Sequence, residues 1–148
     1  MDRAKIYFKK LEEKAKVPQY GTEYAAGADL YACMEEPLRI GAGTTEFVHT
    51  GLAMEIPEGL VGLVYARSGL ACRKGLAPAN KVGVIDSDYR GEIMVALHNH
   101  SREDIVVDSG ERIAQIVIMP YIFAEFEETG ELGCTERGSG GFGSTGKK

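Results

Sequence analysis

Arg112-Ile113-Ala114-Gln115-Ile116-Val117-Ile118-Met119 is the stretch on which the fold turns. Side chains alternate between the two faces of a strand, so this run places apolar groups on both. Such a strand is expected to be covered on both sides, and one of the covers can be a second copy of the chain. Gln115 stands out on it. An unsatisfied amide on a covered strand costs about 1–3 kcal/mol, so it must find a partner in the core or meet a ligand. Outward from this run, β-favouring stretches recur at 5–11, 46–56, 60–66, 82–86, 92–99 and 105–107, and the last strand is expected to span 112–126. Turn-forming breaks separate them at Pro57-Glu58-Gly59, at 88–91 and at Asp108-Ser109-Gly110. A helical turn near 70–74 is the one exception, and no strand-helix-strand rhythm supports an α/β fold. The spacing predicts an all-β domain, a small barrel or sandwich.

With 148 residues the chain fits one domain, large enough to stand without disulfides or a structural metal. Cys33, Cys72 and Cys134 are odd in number and far apart, which suits neither a disulfide framework nor a zinc ribbon and points to a reducing, cytoplasmic setting. Charges interrupt the N-terminal stretch MDRAKIYFKKLEEKAK where a signal peptide needs apolar residues, and no run is long enough for a membrane helix. A net charge of -5 argues against duplex nucleic acid as a partner. An anionic small molecule can still bind locally, through a few arginines and backbone N–H groups with a divalent cation sharing the charge. From Arg137 the sequence RGSGGFGSTGKK holds one bulky apolar side chain among five glycines, so residues 137–148 are expected to form a flexible tail on a domain of residues 1–136.

Several short patterns bear on chemistry. Residues 141–148, GFGSTGKK, nearly spell a phosphate-binding loop, but that motif must lead from a strand into a helix, and no helix can follow here. In GVIDSDYRG, residues 83–91, Asp86 and Asp88 share a face if the strand persists; in a turn they satisfy backbone N–H groups instead. Arg67, Ser68 and Gly69 offer a guanidinium, a hydroxyl and open backbone to phosphate oxygens, or are a surface turn. Asp29 either closes a turn or faces a cation. His98 and His100 share a strand face, yet no third metal ligand accompanies them.

Taken together, AAGADLYA, ARSGL, GVIDSDYRG, GERIAQ and RGSGGFGSTG resemble the five ordered motifs of the trimeric dUTPase family, from Ala25 to Gly146. The resemblance implies a β-clip or distorted jelly-roll barrel and a homotrimer whose three active sites each draw on all three subunits. It implies hydrolysis of dUTP to dUMP and pyrophosphate, which limits uracil incorporation into DNA and supplies dUMP for thymidylate synthesis. Asp86 would orient and deprotonate a water for in-line attack at the α-phosphorus, with Mg²⁺ and arginine taking up charge. Arg67, Ser68, Gly69 and Gln115 would hold phosphates, and Asp29 would act on the cation through water. Asn80 with the backbone of Gly83, Val84, Ile85 and Met94 would line the base pocket, and Tyr89 would pack under the deoxyribose and exclude a 2′-hydroxyl. From the tail, Phe142 would stack on uracil beside Gly143, while Arg137, Ser144 and Thr145 reach the outer phosphates. Ala66 departs from the family, which usually has proline there. The related dCTP deaminases carry their catalytic glutamate about where this chain has Ala96, which disfavours deamination. A non-catalytic nucleotide sensor could dispense with the carboxylate or the tail, and this chain keeps both.

Overall fold

The structure, a computed structural model, describes residues 3–141. Phe142, Gly143, Ser144 and Thr145 lie outside the described residues. Eleven strands and one short helix follow in the order β1 (Tyr7–Lys10), β2 (Gln19–Tyr20), β3 (Ala28–Tyr31), β4 (Leu38–Ile40), β5 (Thr45–Glu55), β6 (Leu60–Tyr65), α1 (Ser68–Lys74), β7 (Leu76–Pro78), β8 (Gly83–Ile85), β9 (Glu92–Asn99), β10 (Ile105–Val107) and β11 (Arg112–Pro120). The all-β expectation holds.

The strands form a four-stranded sheet β1-β5-β9-β7, a five-stranded sheet β2-β3-β11-β6-β8 and a two-stranded ribbon of β10 with β4. The distorted jelly-roll barrel that the resemblance implies is not closed: the sheets keep free edges at β1, β7, β2 and β8, so no continuous ladder runs around the described residues. The two larger sheets instead share one core. Leu30, Val64, Ile113 and Ile116 from one meet Val48, Leu52, Ile93, Val95 and Leu97 from the other in a single buried cluster. Strict alternation makes this possible: along β9, Ile93, Val95, Leu97 and Asn99 are buried while Met94 faces out. Asn99 is satisfied inside, its amide donating to the carbonyls of Ile40 at 3.0 Å and Glu103 at 2.8 Å.

Two irregularities shape the sheets. The register of β5 against β9 shifts between His49 and Ala53, where Gly51 adopts a φ of 67°. Glu92 fastens that bulge, accepting the Gly51 N–H at 2.8 Å on one carboxylate oxygen and pairing with His49 at 2.9 Å through the other. A second shift, between Arg112 and Ala114, accompanies the burial of the neighbours Ile113 and Ala114 on one strand. Within a single chain β11 is fully covered on one face only; Val117 on the other is half-buried and Met119 is exposed. β11 also stops at Pro120 and not at residue 126, because no neighbouring strand remains to pair with the segment beyond it. There Ile122, Phe123 and Phe126 stand almost wholly in the open. Among the described residues no helix is long and apolar enough to cross a membrane.

Candidate active site

The five-stranded sheet positions two groups of the expected residues at opposite ends. β11 lies between β3 and β6, with Gln115 opposite Asp29 on one side and Tyr65 on the other. Arg67 follows two residues after Tyr65 and caps the short helix α1, which starts at Ser68 because Leu70 turns into the core and ends where Gly75 enters the left-handed region at φ 72°. The phosphate-binding candidates therefore cluster. Arg67 donates from Nε to Asp29 Oδ1 at 2.7 Å, and Arg112 donates from Nη1 to Asp29 Oδ2 at 3.3 Å. Gln115 Nε2 donates to the Ala66 carbonyl at 2.9 Å, so its amide has a partner within the chain, one residue before Arg67. Ser68 and Gly69 are exposed beside it. Arg112 was not singled out by sequence; the two arginines converge on Asp29 only through strand pairing across 83 residues.

Asp29 is mostly buried between two guanidiniums, which holds Arg67 in place. Among the described residues no group of three histidine, cysteine or acidic side chains could hold a metal. A lone carboxylate with both oxygens paired to arginines would suit contact through water with a magnesium ion carried on phosphate oxygens, and not direct ligation.

The second group forms at β8 and the turn that leads from it across to β9 in the other sheet. Gly83 is buried while Val84, Asp86, Tyr89 and Met94 are exposed, so this edge of the sheet presents backbone and side chains outward. Asn80 is exposed and sits in a tight turn in which the Val82 N–H donates to its carbonyl at 2.7 Å. The turn is self-bracing: the Tyr89 N–H donates to the Asp86 carbonyl at 3.2 Å, Arg90 Nη1 donates to the Ser87 carbonyl at 2.6 Å, and the Tyr89 hydroxyl donates to the Glu92 carbonyl at 2.9 Å. Asp86, Asp88, Arg90 and Val61 border one cleft, while Arg67, Gly69 and Arg112 border another that shares none of those residues.

Register gives the separation. β6 and β8 run antiparallel with Gly62 opposite Ile85, so Asp86 falls beside Val61 at the start of β6, whereas Arg67 follows its end. Six steps at about 3.3 Å place the two roughly 20 Å apart. Of the tail candidates only Arg137 is described; its Nε donates to the Gly140 carbonyl at 2.7 Å. His98 engages Thr45 at 2.9 Å and meets His100 edge-on, with no further ligand among the described residues.

The chain is similar to known proteins over nearly its whole length. The profile of the dUTPase family matches residues 13–146. A deoxyuridine 5'-triphosphate nucleotidohydrolase of Desulfitobacterium hafniense is 51% identical over 145 residues, covering 97% of this chain and 96% of its own. The enzyme of the same name from Rickettsia felis is 46% identical over 147 residues, covering 99% of each. A variant of the Staphylococcus bacteriophage 80alpha dUTPase, solved with dUpNHpp, superposes with a TM-score of 0.85 at 27% identity over 97% of this chain and 99% of that one.

Proposed function

The chain belongs to the dUTPase family and is a dUTP diphosphatase, and on that premise we propose how its residues divide the work and why one copy is not enough. The observation that carries the proposal is the separation along β6. Groups that act on one triphosphate must each stand within hydrogen-bonding reach of it, about 3 Å. Asp86 and Arg67 of the same chain, roughly 20 Å apart, therefore serve different sites. A homotrimer resolves this, bringing the β8–β9 turn of one copy against the Arg67, Ser68, Gly69 and Gln115 group of the next. The exposed apolar side chains at Tyr121, Ile122, Phe123 and Phe126 support the same reading, since a contiguous open stretch of this kind normally marks a contact surface.

In the assembled site Asn80 and the backbone of Gly83, Val84, Ile85 and Met94 bind uracil. Fixed amide donors and acceptors match its edge and mismatch cytosine, and a buried polar edge left unpaired makes that rejection strong. Tyr89 packs under the deoxyribose. Asp86, exposed in the turn after β8, orients a water and takes its proton as the oxygen attacks the α-phosphorus in line with the departing pyrophosphate. Arg67, held by Asp29, takes up charge on the phosphates with Ser68, Gly69 and Gln115. Magnesium, when bound with the nucleotide and touched by Asp29 through water, neutralises further phosphate charge. The tail, residues 137–148, closes over the nucleotide with Arg137, Phe142, Gly143, Ser144 and Thr145. Ala96 carries no carboxylate, so nothing at its place supports deamination. Cys33, Cys72 and Cys134 are all unpaired, which supports a cytoplasmic, reducing compartment.

The test is a product assay with Mg²⁺ and dUTP, dCTP, dTTP or UTP offered separately. Conversion of dUTP alone to dUMP and pyrophosphate is expected; deamination of dCTP would overturn the reading.

A further inference from the structure

Gly91 sits at the end of the turn that connects β8 to β9, one residue before β9 begins, and is half-buried. Its φ lies outside the left-handed region, so the backbone there does not itself call for glycine. Space does. A methyl group added at Gly91 would collide with the phenol of Tyr89, striking the hydroxyl and standing 2.6 Å from Cζ and 2.9 Å from Cε2. The far end of the Tyr89 ring thus lies directly over Gly91, and from there its hydroxyl donates to the Glu92 carbonyl at 2.9 Å.

We infer that Gly91 is a specificity-determining residue, whose missing side chain is the seat that holds Tyr89 in the position from which it tells deoxyribose from ribose. The inference rests on the reading of Tyr89 as the side chain under the sugar. The turn cannot easily give way, because the Tyr89 N–H is bonded to the Asp86 carbonyl and Arg90 clasps the carbonyls of Ser87 and Tyr89. The ring is the mobile party: Tyr89 is 42% exposed and can leave its seat without disturbing the core. Alanine at position 91 therefore keeps the fold, lifts the ring and breaks its bond to the Glu92 carbonyl. A ring without that seat no longer fills a fixed space beneath the sugar, and a 2′-hydroxyl can be admitted.

The experiment compares kcat/KM for dUTP and UTP in the full chain and in Gly91→Ala, Tyr89→Ala, Tyr89→Phe and the Tyr89→Ala/Gly91→Ala double variant. Gly91→Ala is expected to lower the dUTP-to-UTP ratio about tenfold, the scale on which a single steric contact discriminates. The double variant should be no less selective than Tyr89→Ala alone, a coupling that a general loosening of the protein would not produce. A normal ratio in Gly91→Ala beside a lowered one in Tyr89→Ala overturns the role of Gly91 and leaves that of Tyr89 standing. Additive losses overturn it too, since Gly91 would then act by another route. A normal ratio in Tyr89→Ala overturns the reading of Tyr89 and the inference with it. Should Gly91→Ala fail to fold, Tyr89→Phe carries the test: it keeps the ring and removes its bond to Glu92, so selectivity should fall partway, and an unchanged ratio overturns the seat.

Discussion

At Asp86 and Gln115 two different constraints can be read from single side chains. Asp86 is exposed in the turn after β8, open to water. Asp86→Asn keeps the size and loses the base, so equilibrium binding of dUTP should stay within severalfold of normal while kcat falls by about 10²–10⁴. Near-normal single-turnover rates would remove Asp86 as the base. Gln115 is held by its bond to the Ala66 carbonyl, and its side-chain oxygen lies against Gly27, where an added methyl would strike that oxygen and stand 3.1 Å from Cδ. Gly27→Ala should therefore displace the amide and raise KM for dUTP about tenfold, with a smaller effect on kcat; steady-state kinetics separates the two. Asp86, Arg67 and Gln115 were legible in the sequence because they stand in short ordered motifs, and Gln115 also because an amide is out of place on an apolar strand. Arg112, Gly27 and Gly91 were not. Arg112 and Gly27 matter only through residues brought beside them by strand pairing, and the clash at Gly91 depends on how the turn before β9 folds the Tyr89 ring back over it.

Among the elements, the longer strands were readable from alternation, and the errors have physical causes. β2, β3, β4 and β7 span two to four residues, too short for a period of two to stand out. Beyond Pro120 the apolar residues read as strand but have nothing to pair with in one chain. The helical turn began two residues earlier than expected, since Arg67 supplies an extended residue from which α1 starts directly. The ribbon of β10 with β4 offers a test in acid. Asp104, next to β10, accepts the Ala42 N–H at 2.9 Å and pairs with Arg39 of β4. The Ala42 N–H first, and the Arg39 guanidinium after it, favour the carboxylate and hold its pKa below the usual value. A carboxyl whose folded pKa is lowered stabilises the fold above its ordinary pKa and loses that contribution as pH falls through the lower, folded value. Asp104→Asn should therefore lower Tm modestly near neutrality, and the gap to the parent protein should narrow below about pH 4. Melting curves across that range check it; a gap independent of pH would show that the charge at Asp104 does not matter.

For the whole molecule, the open sheet edges, the half-covered face of β11 and the apolar segment after Pro120 share an explanation if other copies of the chain complete the fold. Sequence could not distinguish a closed barrel from two sheets sharing a core, because both bury alternate residues in the same way. Nor could it show that one chain holds Asp86 and Arg67 far apart, which depends on the register of β6 against β8 and β11. Complementation tests this most directly. Asp86→Asn and Arg67→Ala chains, each inactive alone, are co-refolded in equal amounts and assayed for dUTP hydrolysis. If every site takes Asp86 from one copy and Arg67 from the next, random mixing restores about one quarter of the sites, and activity should return to about that level. A mixed trimer that stays inactive would contradict a site shared between chains.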